Sequence, residues 1–172
     1  MATAFCPEPT WSWKNAVAIE APLTTVASDN PVTIYADTSF FVSLHLPDRH
    51  TAAVERRLRS RPSLWMTPLH VAECAHAIEQ HVFRKAITRS EADRALRRFH
   101  EYRAQNLWRE APLPDQAFEL CAQLAHQHAA RLGVRTLDTL HVASALELKA
   151  VHFWTFDERQ AKLALAAVLK TV

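Results

Sequence analysis

Glycine is nearly missing from this chain: of 172 residues only Gly133 lacks a side chain. A Walker A loop needs two glycines and a dinucleotide fingerprint needs three, because the backbone must approach phosphates closely. Neither loop can be built, and the GxSxG elbow of serine hydrolases is missing as well. Cysteine is sparse too. Cys6, Cys74 and Cys121 lie far apart with no CxxC, which fits neither a disulfide framework nor a zinc ribbon and predicts free thiols. The ten histidines contain no HExxH pair, and His126 and His128, two apart, would point to different sides of a helix. Long apolar runs are lacking too: nothing reaches the roughly 18 uninterrupted residues of a membrane span. The early stretch AVAIEAPLTTVA is broken by Glu20 and Pro22, unlike a signal peptide. The expectation is a cytoplasmic protein without a membrane segment.

What is present suits a single globular domain. Apolar residues make up 49% of the chain, and its length allows one sizeable core. The net charge of +2 hides an asymmetry: thirteen of the twenty basic residues lie between Arg49 and Arg109, against six acids. Such a segment is either a polyanion-facing surface or a solvated helix face. Residues 1–31 hold Pro7, Pro22, Pro31, Trp11 and Trp13 without a sustained period and read as an irregular extension. From Val32 to Val172 the pattern alternates. Short β-rich runs occur at VTIYA, SLWMT, NLWRE, VHFWT and LKTV, separated by helical stretches at about 48–60, 68–86, 90–104, 114–132, 136–149 and 157–167. Strands separated by helices predict right-handed crossovers and an α/β fold, its mainly parallel sheet covered on both faces.

In open parallel sheets, ligands bind beyond the carboxyl ends of the strands. Asp37 follows VTIYA and Asp157 follows FWTF, so both belong to that edge. Glu73 lies early in TPLHVAECAHAIEQ, on the side of the predicted helix away from Val71, Cys74, Ala75, Ile78 and Val82. Asp138 opens the helix of RTLDTLHVASALEL. Taken singly, each acid has an ordinary explanation as a helix cap, a first-turn acid or a solvated side chain. Gathered together, four carboxylates repel by about 1–4 kcal/mol per pair at 4 Å. A divalent cation would relieve that repulsion, and an all-oxygen donor set selects Mg²⁺ or Mn²⁺. Such an ion clamps a phosphate and activates a water, which points to phosphodiester hydrolysis.

The run IYADTSFF, then AECAHAI, RTLDTLHVASALEL and FWTFDERQAKLA resembles the PIN-domain ribonucleases, especially the VapC-like toxins of toxin–antitoxin pairs. The likeness covers about residues 32–172. It implies a three-layer α/β/α sandwich and a Mg²⁺- or Mn²⁺-dependent endoribonuclease of the cytoplasm, held silent by an antitoxin protein and paired as a homodimer. By the same resemblance Asp37, Glu73, Asp138 and Asp157 form the acidic metal-binding set. Asp37 and Asp138 would be the principal ligands, with Glu73 and Asp157 outer ligands or orienters of the attacking water. Ser39 and Thr155 stand where the family places small hydroxyls that bond these acids. Arg135 and Arg159 either hold phosphate or form ion pairs. His141, one turn beyond Asp138 on an apolar helix, reads as a packed, hydrogen-bonded histidine. Arg94, Arg97 and Arg98, at i, i+3 and i+4, share a helix face and are candidates for RNA phosphates, with Arg56, Arg57 and Arg59 as the other route. The chain departs from the family in its N-terminal extension, its arginine-rich middle helices and its ending ALAAVLKTV, where relatives have a glycine before the last strand. Three other readings stay open: a PIN nuclease of RNA processing outside toxin systems, a catalytically silent RNA- or protein-binding PIN module, and a structural domain whose acids are only caps.

Overall fold

The computed structural model describes residues 32–171. The extension at 1–31, with its tryptophans and Cys6, lies outside the described residues. Five short strands form one parallel sheet: β1 (Thr33–Ala36), β2 (Ser63–Met66), β3 (Arg109–Glu110), β4 (His152–Trp154) and β5 (Lys170–Thr171), in the order β3-β2-β1-β4-β5. The helices are α1 (Thr38–His45), α2 (Thr51–Leu58), α3 (Pro68–Phe83), α4 (Arg89–Ala104), α5 (Gln116–Leu124), α6 (Thr136–Glu147) and α7 (Glu158–Ala166). After α5 the chain runs through a π-helical turn (Ala125–Ala129) and a last turn (Ala130–Leu132). This is the α/β/α sandwich that the alternation of strands and helices predicts.

A parallel sheet covered on both sides has no solvent face, so its central strands carry consecutive apolar residues instead of alternating ones. Ile34, Tyr35 and Ala36 of β1 and Leu64, Trp65 and Met66 of β2 are all buried. Tyr35 stacks on Phe153 of the neighbouring β4 with centroids 5.8 Å apart. A smaller apolar cluster, Leu46, Ile78, Ala92 and Ala95, joins the end of α1 to α3 and α4. Among the described residues no helix is long and apolar enough to cross a membrane.

Several elements differ from the sequence pattern. Residues 38–45 form a helix that the pattern does not show, since Phe40 and Phe41 are both fully buried and leave no polar stripe to mark its period. NLWRE contributes only Arg109 and Glu110 to the ladder, while Trp108 is buried ahead of it. The helix expected over 114–132 is interrupted by the π turn. On α3 the buried row is His70, Cys74 and Ile78, whereas Ala75, expected on the core face, is exposed. Just before the last strand, Val168 takes the left-handed conformation, φ 68°.

Candidate active site

The strand order reverses beside β1. The chain moves outward through β2 and β3, then returns to lay β4 on the other side of β1, which opens a crevice at the carboxyl ends of β1 and β4. Asp37 stands one residue beyond β1, where its N–H extends the ladder to the Trp154 carbonyl at 2.9 Å. It is the N-cap of α1, its Oδ1 accepting from the Phe40 N–H at 3.2 Å and from the Ser39 hydroxyl at 2.6 Å. Thr155, just past β4, brings its hydroxyl within 2.7 Å of Asp37 Oδ2. The two hydroxyls expected to bond the acids therefore both bond Asp37.

The other acids arrive on helix N-termini. Asp157 caps α7, its Oδ1 accepting from the N–H groups of Arg159 at 2.8 Å and Gln160 at 3.0 Å. Asp138 sits in the first turn of α6 and accepts from the Arg135 N–H at 3.1 Å. Glu73 lies in the second turn of α3. The N-terminal ends of α1, α6 and α7 thus lie at three of the acids. All four carboxylates line one open cleft of about 440 Å³. Cap and cleft residue are not competing descriptions here: Asp37 and Asp157 are both.

Burial pushes the Asp37 pKa up, against the opposing pull of Ser39, Thr155 and the Phe40 N–H. The Thr155 hydroxyl accepts from the Asp157 N–H at 3.0 Å and has one proton for two oxygens at 2.7 Å, Asp37 Oδ2 and Gln160 Oε1. Turning the Gln160 amide over does not help, because its Nε2 donates to the Asp138 carbonyl at 3.1 Å. The single Thr155 proton therefore serves one of these two oxygens at a time. Glu73 moves the other way. Its partial burial acts upward, but the hydrogen bond and charge of His141 and the Thr38 hydroxyl outweigh it, and the carboxyl is held below its ordinary value. Glu73 Oε2 accepts from Thr38 Oγ1 at 2.5 Å and pairs with His141 Nε2. His141 is buried and its Nδ1 meets the Tyr35 hydroxyl at 2.9 Å, so the packed histidine has one of the four cleft acids, Glu73, as its partner. Glu73 is half-buried and doubly held, unlike the solvated glutamate its helical position would suggest.

Arg135 and Arg159 reach toward their own helices' acids, at 3.7 Å from Asp138 and 3.9 Å from Asp157, with most of the Arg135 side chain in solvent. Arg94 and Arg97 are exposed on α4 and Arg98 is partly buried; none of the three lines the cleft. Sequence reasoning missed Thr38, Gln160, His50 and Phe156. Thr38 has a signal, its place directly after Asp37, whereas Gln160 and His50 reach the cleft only through tertiary contacts.

Among the described residues no three His, Cys, Asp or Glu side chains stand close enough to form a ready ligand cage. Mg²⁺ does not require one, since it binds through one or two carboxylates and keeps several waters. The donor set is all oxygen, one acid carries a burial cost that a cation would relieve, and the cleft is open to solvent. These residues fit a hard divalent ion.

Comparison with curated proteins gives no match. Among solved structures, the fold resembles that of the toxin VapC20 of Mycobacterium tuberculosis, which cleaves the sarcin–ricin loop, with a TM-score of 0.59 and 17% identity over 75% of this chain and 93% of that one. It also resembles VapBC2 of Rickettsia felis, bound to a DNA fragment from its promoter (TM-score 0.58, 12% identity, 81% and 97% covered). A third likeness is to FitAcB of Neisseria gonorrhoeae (TM-score 0.57, 18% identity, 80% and 95% covered). At such identities the likeness is one of fold. The sequence itself matches the PIN domain over residues 34–165. Because that match runs from β1 into α7 and takes in all four acids of the cleft, the chain belongs to the PIN domain family.

Proposed function

We propose that the protein is a divalent-metal-dependent endoribonuclease and the toxin of a toxin–antitoxin pair. The observation that carries this reading is the convergence of Asp37, Glu73, Asp138 and Asp157, from four separate segments, on one cleft at the switch point of the sheet. Asp37 and Asp138 would be the principal ligands of Mg²⁺ or Mn²⁺. The bound ion would supply Lewis-acid polarisation of the phosphate and a nucleophile at neutral pH. The chain's own residues then divide the remaining work. Ser39 and Thr155 hold the Asp37 carboxylate in one orientation. Glu73, kept ionised by His141 and Thr38, orients the attacking water, and Asp157 completes the negative wall of the cleft.

The toxin reading draws on the company the fold keeps: VapC20 is a toxin that cleaves the sarcin–ricin loop, and VapBC2 is bound to a DNA fragment from its promoter. An antitoxin for this chain would present an arginine or lysine to the four acids and lay an apolar helix along a neighbouring groove. The test is cleavage of structured RNA, a sarcin–ricin-loop fragment among the substrates, with Mn²⁺ and with EDTA. Asp37→Asn and Asp138→Asn keep side-chain shape but lose charge. Each is expected to lower cleavage by more than the 10–100-fold that outer partners of a metal typically contribute, with thermal melting in EDTA showing an intact fold. Expressed alone, the wild type should slow growth and the Asp138→Asn variant should not. Activity retained in both folded variants would overturn the acidic mechanism.

A further inference from the structure

We propose that the rim of the acid cleft carries a stacking subsite for one unpaired nucleobase, built on His50 and backed by Phe156. The proposal rests on the reading of the cleft as an RNA-cleaving site and adds how the strand is held there. His50 and Phe156 are stacked, with centroids 4.1 Å apart and planes within 11°, and both line the cleft with the acids. Phe156 in turn lies nearly parallel to Phe40, 10° apart at 6.4 Å. The rings therefore run from Phe40, fully buried, through Phe156 to His50, which is partly exposed. The Arg57 guanidinium lies over Phe156, 5.3 Å from its centroid. A base entering the cleft would continue this stack on the ring of His50. Phe156 also directly precedes Asp157, so the platform and one of the acids are joined by a single peptide unit.

The loop that carries His50 is held in place before any ligand arrives. Asp48 accepts from the His50 N–H at 2.7 Å and from the Ser43 hydroxyl at 2.7 Å, and its own N–H donates to Thr51 Oγ1 at 2.8 Å. Asp48 lines the same cleft, yet both its oxygens serve the loop. Arg49 Nε donates to His50 Nε2 at 2.9 Å, which fixes the ring and leaves a cation at its edge for the backbone phosphate of the stacked nucleotide. A rigid aromatic face beside a basic group suits any base, because every base has a π-face, and it suits unpaired bases alone, since paired ones already have neighbours.

The test uses the full chain carrying Asp138→Asn, so that RNA survives, with His50 intact or changed to Ala or Trp. Affinity is measured for a single-stranded oligoribonucleotide, for the same sequence as duplex, and for a set in which each nucleotide in turn is abasic. His50→Ala should weaken single-strand binding by roughly 5- to 150-fold, the span of one base–aromatic stack, and His50→Trp should restore it. Duplex binding should be unaffected, and one abasic position should erase the difference between the protein with His50 intact and the His50→Ala variant. Single-strand affinity unchanged by His50→Ala, an equal loss on every abasic oligomer, or no RNA binding at all would overturn the subsite. RNA binding that depends on His50 in a wild-type protein that fails to cleave would instead sink the nuclease reading and leave the subsite standing.

Discussion

Burial decides the charge of two histidines in this fold before any chemistry does. His45 packs against Phe99 and Tyr102, with centroids 5.6 Å and 5.3 Å away, and neither ring nitrogen has a hydrogen-bond partner among the described residues. Burial, aided by the nearby charge of Arg98, pushes its pKa down to about 3. His70 is also pushed down to about 3 by burial and by the charge of His141. It is fully partnered, with Nδ1 accepting from the Thr67 N–H at 3.0 Å and Nε2 facing the Ala36 carbonyl at 2.9 Å. For both, the folded value lies below the unfolded one near 6.5, so the unfolded chain takes up a proton that the folded chain refuses. Stability should then fall as pH falls from about 6.5 toward 3, by about 1.4 kcal/mol per pH unit for each histidine. His45→Phe removes one such proton and also two unsatisfied nitrogens, each of which costs about 1–3 kcal/mol when buried. The variant should melt at or above the wild type at pH 7 and lose less stability at about pH 4.5, midway through that window. His70→Phe should instead destabilise, because it strands the Thr67 N–H and the Ala36 carbonyl. Thermal melts of the three proteins at both pH values decide it, and an unchanged acid slope in His45→Phe would show that His45 is not held neutral.

The helix ends show how a chain with one glycine closes its helices. Lys85, Asn106, Lys149 and Val168 follow α3, α4, α6 and α7 with φ of 55°, 52°, 54° and 68°. In each case the next N–H reaches back to close the last turn, as Ala86 does to His81 and Leu169 to Ala164, both at 2.9 Å. Gly133 ends the long helical segment after α5 with φ 65°. Outside glycine and asparagine this conformation costs roughly 1–2 kcal/mol, more for a β-branched side chain. Val168 is 91% exposed, so its side chain gains little from packing. Val168→Gly is therefore expected to raise stability by about 1 kcal/mol without changing RNA cleavage, checked by denaturant unfolding; a loss of stability would show that the valine's stiffening of the unfolded chain outweighs the strain. The missing glycine in ALAAVLKTV was visible in the sequence, but the strained valine in its place was not, because φ leaves no mark on composition. Similar limits explain the other gaps. α1 has eight residues with apolar side chains on more than one face, and the π turn AHQHA carries no residue type that distinguishes it from α-helix. Asp37, Asp138 and Asp157 were readable because each follows a strand or opens a helix, and Glu73 because it faces away from the apolar row of its helix, whereas the contacts that fix them, such as His141 on Glu73 and Gln160 on the Asp138 carbonyl, join segments 68 and 22 residues apart.

Across the whole molecule, charge is sorted by sequence and by surface. The alternation of strands and helices made the parallel sheet legible, but the order β3-β2-β1-β4-β5, which puts Asp37 and Asp157 side by side, comes from tertiary packing alone. The basic excess between Arg49 and Arg109 divides in the same way. Arg49 and Arg57 stand at the His50–Phe156 corner, while the arginines of α4 lie away from the cleft. That helix buries Ala92, Ala95 and Phe99, which turns Arg94 and Arg97 to solvent and leaves Arg98 partly buried near His45. A test of this face should spare Arg98, whose removal would disturb packing as well as charge. If α4 is a phosphate track, Arg94→Ala with Arg97→Ala should weaken RNA binding at every sequence tried and leave the cleavage site where it was, because phosphate contacts position a strand without reading it. Each lost contact to a single strand should flatten the slope of log affinity against log salt by about 0.7. Binding measured in the Asp138→Asn background across a salt series gives that slope directly. A slope unchanged by the double substitution would make α4 an ordinary solvated face, and the RNA would then owe its electrostatic hold to the corner at Arg49 and Arg57.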